Sequence, residues 1–135
     1  MAARGEDDQA ALVVHRTERN FILLNRFPYT NGHVMIVPAL HVSSLEHLPD
    51  ETLAEMMLLA RDAEKRLRAL YHPDGVNLGL NIGRAAGAGI ADHVHMHALP
   101  RWFGDTNFMT SIGETRVLPE SLDVTWARLK EAFEG

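Results

Sequence analysis

The sequence predicts a single α+β domain whose strands are mainly antiparallel. The chain has 135 residues, which is the length of one domain. Short apolar segments bounded by turn-forming residues follow one another closely, as they do in an antiparallel sheet. One long amphipathic pattern separates the third of these segments from the fourth. The hydrophobic fraction of 46% and the charged fraction of 23% are those of an ordinary globular protein.

Three short strands are predicted before the long helix. Residues 1–10 are polar and acidic, and we expect them to form a flexible, solvated lead-in to a single domain over residues 11–135. A polar turn separates the first strand from the second, and a loop with Pro28 and Asn31-Gly32 precedes the third. The predicted strands are Ala11 to His15, Phe21 to Leu24 and His33 to Val37.

The long helix is predicted from about Leu48 to about Tyr71. Pro49 is tolerated in a first turn, and the acidic residues that follow it complement the helix dipole. Apolar residues recur at spacings of three and four, which is the pattern of a helix that packs on a core. This stripe consists of Leu53, Met56, Met57, Ala60, Ala63, Leu67 and Leu70.

Two further strands and a second helix complete the predicted domain. The fourth strand is Val76 to Ile82, and a glycine- and alanine-rich loop follows it. The fifth strand is His93 to Leu99, and Pro100 ends it. A second amphipathic helix follows Pro119, with Leu122, Trp126, Leu129 and Phe133 on its apolar stripe.

The composition argues against several classes of protein. There is no cysteine, so we expect no disulfide framework, no cysteine zinc site and no thiol chemistry, which suits a reducing cytoplasm. No apolar run approaches the ~18 residues of a membrane span, and the first residues lack the apolar core of a secretory signal. With 13 basic and 18 acidic residues, the net charge of −5 argues against a nucleic-acid or anionic-membrane surface. A small anionic ligand remains possible.

The most informative segment is the fifth strand, in which histidines alternate with apolar residues. Side chains two positions apart on a strand share one face, so His93, His95 and His97 point the same way. The intervening residues, Val94, Met96 and Ala98, then point into the core. Three neighbouring imidazoles contribute little packing, which favours a functional explanation of the row.

Three interpretations of this row remain open on the residues alone. It can be the polar face of a half-buried strand. It can be a metal site, but the first and third histidines lie ~13 Å apart on a regular strand, so only two could share an ion. His33 or Asp92 would then complete the ligand set. It can also supply a nucleophile, because a neutral imidazole with a pKa of ~6.5 can attack phosphorus and form a phosphoramidate.

The order His-h-His-h-His-h-h, in which h is hydrophobic, resembles the motif of the histidine triad (HIT) superfamily. The segment from Leu24 to Pro38, with Asn25 and His33, resembles a second segment of that superfamily, and Asn81 also matches. The resemblance covers roughly residues 11 to 135. It implies a HIT-like fold, namely a five-stranded antiparallel sheet with one long helix and a C-terminal helix, which dimerises into a larger sheet.

The resemblance also implies a role for each histidine. His95 would be the nucleophile and would carry a covalent nucleotidyl group. His93 and His97 would flank it and contact phosphate oxygens, and His33 would support the triad from the neighbouring strand.

Substrate-binding residues are implied in the same way. Asn25 would meet the ribose hydroxyls, and Asn81 would contact the phosphates or the leaving group. Gly87, Ala88 and Gly89 would offer backbone N–H groups to phosphate, a role that small residues permit on independent grounds. The loop is about one residue longer than in other branches, and Gly89 stands where a hydroxyl residue is common.

The segment from Pro100 to Phe108 resembles the bacterial branch that includes diadenosine tetraphosphate phosphorylases. Trp102 would stack on a base or ribose there, although a core or dimer-interface position is an equal alternative. We therefore expect a nucleotidyl transferase or hydrolase acting on dinucleoside polyphosphates. We expect the protein itself to require no cofactor, and any Mg²⁺ would arrive bound to the polyphosphate substrate.

Other functions remain open at this stage. A nucleoside phosphoramidase is an alternative within the same superfamily. A metal-dependent hydrolase would use His33, His93 and His95 as ligands. A nucleotide-binding module without turnover is the third alternative.

Overall fold

A five-stranded antiparallel sheet organises the fold in a computed structural model that describes residues 4–26, 30–88, 92–105 and 120–134. The strand order is β1-β2-β3-β5-β4, with every neighbouring pair antiparallel. The strands are β1 (Val13–Arg16), β2 (Asn20–Leu24), β3 (Val34–Pro38), β4 (Gly75–Leu80) and β5 (Met96–Arg101). The helices are α1 (Arg4–Ala10), α2 (Asp50–Tyr71) and α3 (Leu122–Glu134). The α+β prediction is confirmed, with strand ends shifted by at most three residues and the end of β2 at Leu24 unchanged.

The N-terminal residues differ from the solvated lead-in that was expected. They form α1, and the Asp8 side chain is buried, at 6% exposed. Its carboxylate lies 2.9 Å from a guanidinium nitrogen of Arg16 at the end of β1. An ion pair of this kind compensates the carboxylate for its lost water, which explains why an acidic residue is buried here.

The long helix α2 packs on one face of the sheet, mainly over β3 and β5. It begins at Asp50, two residues later than expected, because Pro49 has an extended ψ of 153° and serves as the N-cap. Met56 is buried as predicted, whereas the prediction for Met57 is wrong, since its side chain is 60% exposed. Adjacent helical residues point about 100° apart, so both methionines cannot face the sheet.

The C-terminal helix α3 packs against β1. Leu129 and Phe133 are buried in the core, as the apolar stripe predicted. The indole N–H of Trp126 donates to the Val13 carbonyl at 2.7 Å, so this tryptophan docks the helix on the first strand. In the described part of the chain, no helix combines the length and hydropathy that a membrane span requires.

The histidine segment begins its strand later than predicted. β5 starts at Met96 rather than at His93, because the backbone just before it bonds outside the β3–β5 ladder. The N–H of Val94 donates to the Val42 carbonyl at 2.7 Å. From His93 to Ala98, side chains nevertheless alternate between partly buried and buried positions. The apolar residues Val94, Met96 and Ala98 are buried, while the three histidines that alternate with them are only partly buried.

Candidate active site

His33 and His97 form the best-defined contact of the site. His33 directly precedes β3, and His97 lies on β5, where it is paired with Met35 of β3. This register brings the Nε2 atom of His33 to 2.9 Å from the Nδ1 atom of His97. The contact that the resemblance implied between His33 and the triad is present, while the supporting role of His33 in catalysis stays a prediction.

Both of these imidazoles are held in the neutral form. Burial lowers the pKa of His33 to about 4, with repulsion from His97 and His95 adding to the effect. Burial, and then repulsion from His95, also lower the pKa of His97. Two neutral rings share one hydrogen, so one ring nitrogen donates and the other accepts. The tautomer of one ring in this pair therefore determines the tautomer of the other.

His95 is oriented by the backbone of its own segment. Its Nδ1 atom lies 3.0 Å from the carbonyl oxygen of His93. A carbonyl can only accept, so Nδ1 carries the hydrogen in neutral His95, and the lone pair resides on Nε2. The His95 ring meets the His97 ring edge-on, with centroids 4.8 Å apart. We call His33, His95 and His97 the inner cluster.

His93 lies in different surroundings from the other two histidines of the row. Its Nε2 atom is 3.0 Å from the Pro38 carbonyl and therefore donates to it. Its ring centroid lies 4.6 Å from that of His41. The Nε2 atom of His41 is in turn 3.5 Å from a carboxylate oxygen of Asp92. We call His41, His93 and Asp92 the outer group.

Sequence reasoning missed His41. It lies outside the alternating row and belongs to no recognisable spacing. The only available signal was its position shortly after Pro38, in the loop that leaves β3. The hydrogen bond between Val94 and Val42 brings that loop alongside the histidine segment.

Asn25 lies next to the inner cluster. Its backbone N–H donates to the His33 carbonyl at 3.0 Å, which closes the loop between β2 and β3. A small pocket opens beside these two residues, and its opposite wall comes from the start of α3. We call it the side pocket; its lining is Leu24, Asn25, Asn31, Gly32, His33, Glu120, Leu122 and Thr125.

The glycine-rich loop differs from its expected role in one respect. The N–H of Gly87 donates to the Arg84 carbonyl at 2.9 Å, and the N–H of Ala88 donates to the Gly83 carbonyl at 3.2 Å. Both groups are therefore used by a short 3₁₀ turn rather than presented to a phosphate. Gly89 lies outside the described residues. The exposed Asn81 faces this turn, since its amide nitrogen is 3.9 Å from the place of a Cβ atom on Gly87.

Trp102 is placed beyond the end of β5. It is partly buried, and its backbone N–H donates to Asp105 at 3.1 Å. Trp102 lies five positions after His97, which is about 16 Å along an extended strand. The side chain of Arg101 is engaged by Asp105 through two bonds of 2.8 Å. The stacking role of Trp102 stays a prediction.

The zinc-ligand set considered from the sequence is not assembled by the residues that the structure describes. Within these ranges, no three histidine, aspartate or glutamate side chains are grouped as metal ligands. His33 pairs with His97, whereas His93 donates to the Pro38 carbonyl. The arrangement instead offers one oriented imidazole lone pair beside a pair of neutral, hydrogen-bonded rings.

Comparison with known proteins gives a consistent result. Residues 6–104 match the family model of the HIT domain. The chain is 42% identical over 128 residues to an AP-4-A phosphorylase of Mycobacterium tuberculosis, covering 90% of this chain and 66% of that protein. The chain thus spans just under two thirds of the length of this curated relative.

Solved structures agree with the fold. A Zn-bound histidine triad family protein from Mycobacterium smegmatis is 27% identical, with a TM-score of 0.73 and coverage of 91% of this chain and 84% of that one. A hypothetical histidine triad nucleotide-binding protein from Sulfolobus tokodaii is 25% identical, with a TM-score of 0.74 and coverage of 91% and 83%. The fold that the histidine motif implied is confirmed.

Proposed function

Since the chain belongs to the HIT family, we propose that it cleaves dinucleoside polyphosphates by transferring a nucleotidyl group through His95. One observation carries this proposal. The Nδ1–H of His95 is committed to the His93 carbonyl, so its Nε2 lone pair is the nucleophile. The AP-4-A phosphorylase relative supports diadenosine tetraphosphate as the substrate.

The first chemical step forms a bond between Nε2 of His95 and the α-phosphorus. The bond from that phosphorus to the bridging oxygen breaks, and its electron pair leaves with the remaining polyphosphate. The His95 ring gains positive charge as its lone pair is used. The His93 carbonyl, which accepts the Nδ1–H, stabilises that charge where it develops.

His33 and His97 act together in this scheme. If the Nε2–H of His33 donates to Nδ1 of His97, then His97 carries its own hydrogen on Nε2. That N–H can donate to a phosphoryl oxygen or to the leaving oxygen next to His95. The low pKa of His33 keeps this pair neutral at physiological pH and so preserves the tautomer.

In the second step, phosphate or water attacks the phosphorus and releases His95. Asn25 at the ribose, Asn81 at the phosphates and Trp102 at the base are proposed from the family resemblance. The role of His93 at a phosphate oxygen is proposed likewise, through its ring nitrogen Nδ1, because Nε2 serves Pro38. We propose that the protein supplies no cofactor of its own and that Mg²⁺ enters with the polyphosphate.

We further propose that two copies associate along β4 to form a homodimer. β4 is an edge strand of the sheet, and edge strands are ready to pair with another chain. Leu78 on this strand is 46% exposed, and Ile82 just beyond it is 42% exposed. Light scattering at micromolar concentration should give twice the mass of 15.1 kDa. Leu78→Lys should shift the protein toward monomer, and a monomeric unsubstituted protein would contradict the proposal.

Product analysis tests the proposed reaction. The protein is incubated with diadenosine tetraphosphate, with and without inorganic phosphate. ADP and ATP formed only with phosphate indicate a phosphorylase, whereas AMP and ATP formed without phosphate indicate a hydrolase. His95→Ala should lower turnover at least about 10⁴-fold in either case, as loss of a nucleophile does.

His47→Ala is the matched control, because His47 is an exposed histidine outside the site. It should retain full activity. Lack of turnover by the unsubstituted protein would overturn diadenosine tetraphosphate as the substrate. Cleavage of nucleoside phosphoramidates by the same preparation would then support the phosphoramidase alternative.

A further inference from the structure

Gly79 lies in the interior of β4, directly opposite His97 on β5. Residues that face each other across two strands share one side of the sheet, so position 79 lies on the same side as the histidine row. Resting on the proposed function, we propose that Gly79 determines the specificity for the leaving group. Because Gly79 has no side chain, it leaves room beside His97 for the polyphosphate and the second nucleoside of the substrate.

The two sides of β4 have different surroundings. The side chains of Val76 and Leu80 pack against the hydrophobic core. Asn77 and Gly79 alternate with them, lie on the histidine side of the sheet and are exposed. A Cβ atom placed on Gly79 would have no heavy atom of the described residues within 4 Å, apart from its chain neighbours. Within the described part of the chain, the histidine side of the sheet is therefore open at position 79.

The backbone of β4 does not require a glycine at this position. Gly79 is not one of the glycines with a positive φ. The pairing of β4 with β5 runs without a shift from Gly75 to Leu80, so this stretch contains no bulge. A glycine inside a strand lowers stability, and the use that remains for it is to let a ligand or another backbone approach closely.

A second copy of the chain paired along β4 does not explain the glycine. Such a copy would lie in the plane of the sheet, about 4.8 Å from β4, and would bond to its edge. Side chains project from the two faces of a sheet, so they do not obstruct pairing at its edge. The approach that a side chain at position 79 would obstruct comes from the histidine side, which is where the substrate binds in the proposed reaction.

The position suits the leaving group of that reaction. The ring of His97 contacts His33 on the β3 side and lies next to the ring of His95. β4 borders β5 on the opposite side from β3. Cβ atoms of directly opposed residues are about 5 Å apart, so a side chain at position 79 would stand next to His97. His97 donates to the leaving oxygen in the proposed scheme, and the group attached to that oxygen must pass this point.

Gly79→Val tests the proposal, because it should affect stability and activity in opposite directions. Valine is favoured in strands, so the urea midpoint of unfolding should be no lower than that of the unsubstituted protein. The kcat/KM for diadenosine tetraphosphate should fall at least about 30-fold, since the leaving group is displaced. The affinity for AMP, which has no leaving group, should change less than about 3-fold by isothermal titration calorimetry.

Gly75→Val is the matched control. Gly75 lies on the same strand and the same side, and a Cβ atom there also meets nothing described within 4 Å. It is opposite Arg101 rather than a histidine, about 13 Å along the strand from Gly79. This variant should keep the kcat/KM of the unsubstituted protein. Gly79→Ala adds a single methyl group and should give a loss between those of glycine and valine, which provides a milder variant should valine prevent folding.

The outcomes separate the inference from the proposed function. If the unsubstituted protein cleaves the substrate and Gly79→Val cleaves it equally well, the role of Gly79 is overturned and the proposed function stands. A lower urea midpoint, an equal loss in Gly75→Val or a parallel loss of AMP affinity would also overturn it, because each indicates a general effect on the sheet. A changed mass by light scattering would assign the position to contact with a second copy. Absence of cleavage by the unsubstituted protein would contradict the proposed function and, with it, the inference.

Discussion

The inner cluster and the outer group share one short histidine segment but lie in different surroundings. His33 is 1% exposed, and its ring is hydrogen-bonded to His97. In the outer group, by contrast, the side chains of His41 and Asp92 are 65% and 78% exposed, and they meet at 3.5 Å. A polar contact between exposed groups contributes little, whereas a buried one fixes tautomer and orientation.

The comparison shows that membership in the alternating row does not determine a histidine's role. His95 and His93 lie two residues apart, yet each donates a ring N–H to a different backbone carbonyl through a different ring nitrogen. In the neutral tautomers that these contacts select, the lone pair lies on Nε2 of His95 and on Nδ1 of His93. His93 contacts the inner cluster through its backbone oxygen, whereas its ring contacts Pro38 and His41.

The pH dependence of stability tests the burial of the inner cluster. Because burial lowers the pKa of His33 from 6.5 to about 4, the unfolded chain binds a proton in this range that the folded chain does not. The free energy of unfolding should therefore fall as the pH decreases from 6.5 to about 4. His33 contributes at most about 3 kcal/mol to that fall.

The contribution of His33 to the free energy of unfolding can be isolated by chemical denaturation. The unsubstituted protein and His33→Leu are compared across this pH range. The variant should lose less stability on acidification, while other groups titrate equally in both proteins. Parallel curves for the two proteins would show that His33 is not held neutral by the fold.

His33→Leu should also lower kcat about 100-fold, with KM changed less than about 3-fold. Leucine fills a similar volume without a hydrogen bond, so Nδ1 of His97 loses its partner and its tautomer is no longer fixed. Steady-state kinetics provide the measurement. His33→Gln retains an N–H donor and should recover part of the loss, and an unchanged kcat in the leucine variant would contradict the positioning role.

His93→Ala should cost about 10-fold in kcat, which is less than the loss in His33→Leu or His95→Ala. The substitution removes the ring but keeps the backbone carbonyl that orients His95. The same assay measures it, with circular dichroism to establish that the variant is folded. A loss as large as that of His95→Ala would mean that the division into two groups is wrong.

His41→Ala should have the smallest effect, less than about 3-fold on kcat and within about 0.5 kcal/mol on the free energy of unfolding. Its ring contacts are exposed, and its distance from Asp92 exceeds that of a good hydrogen bond. Asp92→Asn is the companion variant and should behave in the same way. A 10-fold loss in either variant would place the outer group in the reaction.

Much of the fold could be predicted from local patterns. The apolar stripe of α2, the alternation around Met96 and the docking of Trp126 each follow from a periodicity visible in a short window. Strand ends could not be predicted as well. β5 begins at Met96 because the Val94 N–H bonds to Val42, a residue some fifty positions away in the chain.

The candidate site likewise contains some residues that could be predicted from the sequence and others that could not. The inner cluster could be proposed because its histidines belong to a recognisable motif. His41 could not, since the ring that it contacts, His93, belongs to a distant segment that only the folded sheet brings alongside it. Likewise, no sequence pattern shows that the Gly87 N–H is already used within its own turn.

The most direct test of the account is to locate the covalent intermediate. The protein is mixed with diadenosine tetraphosphate in the absence of phosphate and quenched at alkaline pH, and the peptide carrying the three histidines is mapped by mass spectrometry. The account predicts one adenylyl group on His95, still formed by His93→Ala and absent from His95→Ala. An adduct on His93 or His97, or turnover without any adduct, would contradict it.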